Sequence, residues 1–309
     1  MIKNSRFYRA KNLQEALYHL KNVNNLHIYS GGTSIKQADN DTLLDIGEDC
    51  LFLTNCEELK RIEKHERYIT FCSMVTLQQI LDLGENNIPN FIYKAIESIS
   101  NPLVRNKATL TGNICSSDFY HTVYSPLLAV DAKLEIHTPS ETKFVQMSKF
   151  NGVEKGQIVT AIRIPLIDWD ISLFFRTGDA NQISDLSNSF TFLAKTQKDS
   201  LVDLRVAFCG KLKIRSSELE NSLIGSRLPL SKKVMEMAME KAEKVFDQEF
   251  DKYVAFYVEK FSSASVVNQD EKSNSELLAD YEKNVRKNFH PMIKLQFLNL
   301  FKKCLEHLM

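Results

Sequence analysis

Two short glycine-containing segments constrain the fold of this chain more than any other feature. Residues 30–35 (SGGTSI) follow an apolar stretch, and residues 109–114 (TLTGNI) lie about 80 positions further along. Each segment places glycine beside small hydroxyl residues, so its backbone N–H groups can face an anion. The chain has only 10 glycines among 309 residues, so this pairing needs an explanation. The separation is too long for one phosphate loop, and we expect two halves of a clamp on one large phosphorylated ligand.

The composition is that of an ordinary globular protein and excludes several classes of function. Hydrophobic residues make up 43% and charged residues 25%, and 39 basic residues balance 39 acidic ones. A neutral chain has no global positive field to attract nucleic acid or an anionic membrane surface. The sequence has no run of about 18 apolar residues, and residues 1–6 lack the apolar stretch of a secretory signal. We therefore expect a cytoplasmic protein without a nucleic-acid or membrane partner.

The cysteines and histidines lack the spacing of a metal or iron–sulfur site. The chain contains neither a C-x2-C pair nor an H-E-x-x-H pattern. We predict no metal site and reduced, buried thiols. The six thiols belong to Cys50, Cys56, Cys72, Cys115, Cys209 and Cys304.

The N-terminal half shows a change of pattern near residue 55. Before it, a helical stripe over residues 13–20 and strands at 26–29 and 43–46 indicate a small α/β unit with a parallel sheet. After it, strands and helices alternate until Pro165 ends an apolar strand. The strands expected in this second part cover residues 61–64, 68–72, 133–137 and 156–165.

The C-terminal half predicts a separate arrangement, with a domain boundary near residues 166–172. Three strands come first and are expected to form an antiparallel sheet. Helical periodicity dominates the remainder. The strands are expected at 173–176, 189–195 and 204–209, and the helices at 217–223, 231–246 and 275–307.

The two glycine segments and their flanks resemble those of the flavoprotein subunit of the molybdenum hydroxylases. This family, with xanthine dehydrogenase and the medium subunit of carbon monoxide dehydrogenase, has an Ala-Gly-Gly-Thr-Asp-Leu-like turn. An Ile-Arg-Asn-x-Ala-Thr-Leu-Gly-Gly-Asn-Ile-like turn follows it. The corresponding segments here are residues 30–35 and 104–114. The resemblance also covers residues 7–16, 125–132 and 157–165, and so extends along the whole chain.

The resemblance implies an α+β fold with two domains. Residues 1–168 would form an FAD-binding domain of the vanillyl-alcohol-oxidase/PCMH type, with subdomains over about 1–55 and 56–168. Residues 169–309 would form a smaller domain with a three-stranded antiparallel sheet and helices. That domain would be like the carboxy-terminal domain of the carbon monoxide dehydrogenase flavoprotein.

The resemblance also implies an FAD-dependent oxidoreductase subunit of an electron-transfer complex. In such a complex, electrons pass from a molybdopterin-binding subunit through an iron–sulfur subunit to FAD, and then to NAD+ or another acceptor. The role of this chain would be to hold and tune the flavin, so we expect no catalytic acid or base.

The FAD pyrophosphate needs convergent N–H donors, which open backbone at two turns can supply. By resemblance, the first turn wraps the pyrophosphate and the second lies against the same cofactor. Val159 would contact FAD through its backbone, and Ile99 and Arg176 would lie near the ring system. The expected cofactor contacts are Ile28, Tyr29, Ser30, Gly31, Gly32, Thr33, Ser34, Ile35, Ile99, Thr109, Gly112, Asn113, Asp118, Thr122, Val159 and Arg176.

Three positions depart from the family pattern. Thr111 replaces the first glycine of the usual Gly-Gly pair, and Ser73 follows Cys72 where glycine is common. Thr122 aligns with an aspartate that contacts the ribityl chain, a role that Asp118 could fill. Two alternatives therefore stay open: a stand-alone flavin reductase like UDP-N-acetylmuramate dehydrogenase, and a non-enzymatic scaffold subunit that has lost FAD.

Overall fold

In the described part of the chain, three β-sheets, each made by one continuous stretch, form the framework of the protein. The computed structural model describes residues 5–33, 47–115, 119–181, 183–264 and 271–309. Over these residues the sheets have three, five and four strands, in chain order. No helix within the described ranges has the length and apolarity needed to cross a membrane.

The N-terminal sheet is parallel, as the helix–strand pattern predicts. Its elements are β1 (Arg6–Arg9), α1 (Leu13–Asn22), β2 (Leu26–Tyr29) and β3 (Asp49–Phe52). The strand order is β1-β3-β2, and α1 connects the two outer strands. Periodicity did not reveal β1, because its sequence RFYR shows no apolar alternation. The strand predicted at 43–46 lies outside the described residues.

The second sheet is antiparallel and has five strands in the order β4-β5-β8-β6-β7. Its central strand, the longest of the five, is mostly buried on both faces. The four strands predicted for this part are confirmed, and one further strand joins them at the edge. The strands are β4 (Ile62–Lys64), β5 (Tyr68–Cys72), β6 (Lys133–His137), β7 (Thr142–Gln146) and β8 (Ile158–Pro165).

Short helices cover this sheet. They are α2 (Leu77–Leu81), α3 (Asn90–Glu97), α4 (Pro102–Arg105), α5 (Leu110–Ile114) and α6 (Tyr124–Ala129). The second glycine segment is thus not an open turn, because residues 110–114 form α5 itself. The Thr109 hydroxyl starts this helix by accepting a hydrogen bond from the Gly112 N–H, at 3.0 Å.

The C-terminal part has four antiparallel strands where three were predicted. The three predicted strands are confirmed. The fourth strand has only two residues and is too short to show any periodicity. The order is β12-β11-β10-β9, with β9 (Ile171–Arg176), β10 (Ser189–Gln197), β11 (Ser200–Cys209) and β12 (Lys213–Ile214).

The helices after this sheet differ from the predicted ones in length and number. The second runs on to residue 264, well beyond the expected end at 246. The helix predicted at 275–307 is two helices, and the second of them begins after Pro291, which lacks a backbone N–H for continuing the first. The helices are α7 (Ser217–Leu223), α8 (Lys232–Ala264), α9 (Glu271–Asn288) and α10 (Met292–Leu305).

The second and third sheets are joined by a shared hydrophobic core. Leu193 of β10 and Ala207 of β11 belong to the same buried cluster as Leu127 of α6. A buried hydrogen bond of 3.0 Å between the hydroxyls of Ser125 and Thr191 crosses the same boundary. The division into domains at residue 168 remains a prediction.

Candidate functional site

A cleft of about 660 Å³ lies between the N-terminal sheet and the five-stranded sheet. The end of α1 and strand β2 form one side, and α5, β8 and the loop before β8 form the other. Of the predicted contacts, Ile28, Ser30, Gly112 and Val159 line this cleft. The two glycine segments therefore face one space, from β2 on one side and from helix α5 on the other.

The two segments are in direct contact beside the cleft. The hydroxyls of Ser30 and Thr109 are hydrogen-bonded at 3.1 Å, although 79 positions separate them. Thr109 is 2% exposed, and its hydroxyl also accepts a hydrogen bond from the Gly112 N–H. This small network fixes the first segment against the start of α5. The spatial convergence expected of a clamp is thus present.

Position 31 requires glycine because the backbone of the second segment lies directly against it. A Cβ atom built on Gly31 would lie 1.8 Å from the Lys107 carbonyl oxygen. Gly32 has φ +67°, in the left-handed region that glycine adopts without strain. Gly31 therefore serves the meeting of two backbone segments, and Gly32 allows the turn that follows it.

The other residues of the first segment have different surroundings. The Tyr29 ring stacks on Phe52 with centroids 5.5 Å apart, and its hydroxyl accepts a hydrogen bond from the Gly47 N–H at 3.4 Å. Thr33 is exposed and is the last described residue before a gap. The predicted contacts Ser34 and Ile35 lie outside the described residues.

The end of the second segment positions the turn before α6. The Asn113 side-chain oxygen accepts a hydrogen bond from the Val123 N–H at 3.4 Å. Thr122 is half-buried in this turn. Asp118, the proposed substitute for the missing aspartate, lies outside the described residues.

Ile99 and Arg176 do not line the cleft and meet at another place, the loop that follows α3. The Arg176 guanidinium donates hydrogen bonds to the carbonyl oxygens of Ser98 and Asp179. Arg105 donates to the carbonyl of Ile99 at 2.9 Å, and to the carbonyls of the residues at 97 and 100. Two arginines thus hold four successive carbonyls, and burial lowers the pKa of Arg176.

No sequence pattern predicted the hydrogen bond that joins the two sides of the cleft. Lys155 donates a hydrogen bond to the side-chain oxygen of Asn25 at 3.0 Å, which joins the two sides. The two residues are 130 positions apart, so no local spacing could relate them. Gly156 was predicted to begin the strand, but it has φ +80° and lies in the turn before β8.

The thiol of Cys115, which lines the cleft, is not reactive. Burial raises the pKa of this thiol to about 12, so the group stays protonated at neutral pH. All six cysteines are free; four are buried as predicted, whereas Cys72 and Cys115 are half-buried. Within the ranges that the structure describes, no three His, Cys, Asp or Glu side chains are placed to hold a metal ion.

The residues around the cleft fit a dinucleotide. The volume of the cleft is in the usual range for cofactor sites. Such sites combine apolar walls with a few polar groups. Leu26, Ile28 and Val159 supply apolar surface. The hydroxyls of Ser73 and Thr111, which also line the cleft, have no hydrogen-bond partner among the described residues. Buried hydroxyls without partners suit a ligand rich in acceptor oxygens.

Comparison with protein families agrees with this fit. Residues 3–167 match the family described as the FAD binding domain in molybdopterin dehydrogenase. This chain belongs to that family. The matched residues include both glycine segments and both sides of the cleft.

Two curated relatives are named as components of dehydrogenases, and one of them has FAD in its name. The chain is 24% identical over 239 residues to the glyceraldehyde dehydrogenase medium chain of Sulfolobus acidocaldarius, an alignment covering 72% of this chain and 82% of that protein. It is 29% identical over 171 residues to the xanthine dehydrogenase FAD-binding subunit of Escherichia coli O157:H7, covering 52% and 57%. This second alignment thus spans little more than half of either protein.

Solved structures share the fold along most of the chain. A chain of carbon monoxide dehydrogenase from Hydrogenophaga pseudoflava superimposes with a TM-score of 0.68 at 15% identity, over 93% of this chain and 96% of that one. The reconstituted enzyme from Oligotropha carboxidovorans gives a TM-score of 0.68 at 18% identity, over 79% and 88%. The mixed helix-and-sheet architecture is therefore that of these structures.

The family, the oxidoreductase class and FAD as its cofactor are confirmed by the family match and the relatives. These findings favour neither the stand-alone reductase nor the scaffold without FAD. The individual contact residues remain predictions.

Proposed function

We propose that this chain is the FAD-holding, electron-transfer subunit of a molybdenum hydroxylase complex. The observation that carries the proposal is the direct contact between Ser30 and Thr109 at a cleft between two sheets. A clamp made of two distant segments suits an extended dinucleotide, because each segment can hold a different part of it.

In this proposal the chain binds and orients the cofactor. Ser30 and Gly112 line the cleft where the pyrophosphate would lie, and Val159 of β8 lines the same cleft. Bound FAD supplies the redox chemistry, and the protein contributes binding, orientation and electrostatics. No acid–base catalyst is needed from this chain.

The ring end of the cofactor is assigned to the loop that follows α3. Ile99 lies in this loop, and the Arg176 guanidinium is tied to it through the Ser98 carbonyl. A half-buried cation so held is suited to stabilise negative charge that develops on a reduced flavin.

We also propose the finer domain description. Residues 1–168 would be an FAD-binding domain of the vanillyl-alcohol-oxidase/PCMH type, with subdomains over about 1–55 and 56–168. Support comes from the position of the cleft between the parallel and antiparallel sheets. Residues 169–309 would form the smaller carboxy-terminal domain.

The partners proposed are an iron–sulfur subunit and a molybdopterin-binding subunit, with NAD+ or another molecule as the electron acceptor. Support comes from the relatives named as the FAD-binding subunit or medium chain of dehydrogenases. Such names describe one component of a larger enzyme.

The test is flavin analysis of the protein after gentle purification, followed by titration of the apoprotein with FAD. We expect yellow protein with flavin absorbance, and co-purifying iron–sulfur and molybdopterin chains. A colourless preparation that also fails to bind added FAD would refute the proposal. Flavin without partner chains, together with NADPH-dependent reduction of a nucleotide sugar, would instead support the stand-alone reductase.

A further inference from the structure

Two buried hydroxyl groups of the cleft wall stand at positions that depart from the family pattern. Ser73 follows β5, Thr111 lies in α5, and both line the cleft. Their exposed fractions are 3% and 7%. Neither hydroxyl has a hydrogen-bond partner within the part of the chain that the structure describes.

Such hydroxyls destabilise a folded protein unless something binds to them. A buried polar group without a partner loses its hydrogen bonds to water and gains nothing in return. Glycine, which is usual in the family pattern at the position of Thr111 and common at that of Ser73, would avoid this loss. By contrast, the Ser30 hydroxyl at the same cleft is satisfied by Thr109.

The two hydroxyls lie on neighbouring elements of one wall. The Ser73 N–H donates to the Thr160 carbonyl at 2.8 Å, which places Ser73 beside the part of β8 that lines the cleft. The Leu77 N–H donates to the Ala108 carbonyl at 2.8 Å and ties the start of α2 to the segment before α5. Thr111 is therefore held close to the same region.

We propose that Ser73 and Thr111 are FAD ligands of this chain, whose hydroxyls donate hydrogen bonds to ribose and phosphate oxygens of the cofactor in the cleft. Phosphate oxygens only accept hydrogen bonds, and each hydroxyl has a free proton to donate. The two side chains then take the place of the close backbone approach that glycine allows. This inference rests on the proposed function, because FAD must occupy the cleft.

The experiment titrates apoprotein with FAD, followed by flavin fluorescence, in Ser73→Ala and Thr111→Val variants. Each variant removes one hydroxyl and keeps most of the side-chain volume. We expect Kd to rise about fivefold to tenfold for each, which is the effect of losing one hydrogen bond. Thermal unfolding of the apoprotein should move in the opposite direction, with Tm equal to or above the wild-type value, because an unpartnered buried hydroxyl is gone.

A Thr111→Gly variant separates hydrogen bonding from crowding. If the hydroxyl binds FAD, glycine also weakens binding; if Thr111 only obstructs the cleft, glycine tightens binding and valine leaves it unchanged. The control is Thr191→Val, which removes a buried hydroxyl paired with Ser125 in the shared core. It should lower Tm and leave the FAD Kd unchanged.

The outcomes distinguish this inference from the function on which it rests. Wild-type protein that cannot bind FAD contradicts the proposed function itself. Wild-type protein that binds FAD, with Ser73→Ala or Thr111→Val binding at the wild-type Kd, overturns only the assignment of this pair.

Discussion

The missing side chain of Gly31 determines how the two glycine segments meet. Its Cβ would collide with the Lys107 carbonyl oxygen, a backbone atom that cannot rotate away. Gly112 differs, since its Cβ would lie 3.0 Å from the hydroxyls of Ser30 and Thr109, which can turn aside. The sequence identified both glycines as special through their neighbours. It assigned the close approach to a ligand, whereas the structure assigns part of it to the other segment's backbone.

Replacing Gly31 with alanine should therefore push the two segments apart. Overpacking of this kind predicts a loss of about 3 kcal/mol in the free energy of unfolding, together with a large loss of FAD affinity. Urea denaturation and flavin titration measure the two effects.

A Gly84→Ala variant is the matched control. Gly84 has φ +88°, so alanine there is strained, but nothing lies within 4 Å of the added atom. It should cost about 1 kcal/mol and leave FAD affinity intact. If Gly31→Ala were no more harmful than this control, the contact between the segments would not need glycine.

At the scale of an element, an ion pair joins the neighbouring strands β1 and β3 of the parallel sheet. Arg6 and Asp49 are directly opposite in the register of β1 and β3. The guanidinium contacts the carboxylate through two nitrogens, each at 2.7 Å, and the Tyr8 hydroxyl donates to the same carboxylate at 3.2 Å. Hydrogen bonding from Arg6 lowers the pKa of Asp49. The RFYR pattern of β1 did not predict a strand. The strand forms because it pairs with β3, which no local pattern in β1 can show.

The pair predicts a pH dependence of stability. A carboxyl with a lowered pKa in the folded state stabilises the fold above its unfolded pKa of about 3.9, and this contribution is lost as the pH falls through the folded value. Asp49→Asn should lower Tm at pH 7, and its difference from wild type should shrink toward pH 3.

Thermal unfolding scanned from pH 7 to pH 3 checks this expectation. Asp168→Asn, at an exposed position between the second and third sheets, is the control and should track the wild type throughout. A constant deficit of Asp49→Asn at all pH values would show that the carboxylate charge is unimportant.

At the scale of the whole molecule, strand β10 is buried on both faces. Phe190 and Phe192 belong to the core under the C-terminal helices, while Leu193 belongs to the core that includes α6. Alternate side chains of one strand therefore join two hydrophobic cores. The nearly continuous apolar run of this strand is typical of such burial, but the run cannot say which element covers each face.

Leu193→Ala should destabilise both the C-terminal sheet, to which Leu193 belongs, and helix α6, against whose core it packs. Loss of a fully buried leucine predicts a decrease of about 2–5 kcal/mol in the free energy of unfolding. Hydrogen exchange of the backbone amides in α6 should also become faster, which mass spectrometry measures. Val202→Ala, at a 40% exposed position on β11, should change neither quantity appreciably. Unchanged exchange in α6 would contradict the shared core.

The sequence by itself determined the family, the cofactor and most of the strands, because these depend on local periodicity and on short motifs whose residues are adjacent. It also indicated that Ile28, Ser30, Gly112 and Val159 contact the same ligand, and these four residues line one cleft. Only the tertiary structure decided what surrounds them. The contact of Lys155 with Asn25 and the unpartnered hydroxyl of Thr111 depend on packing between sheets made from distant stretches of chain. Local patterns carry no information about such pairings, since the free energy that forms them comes from burial in the folded state.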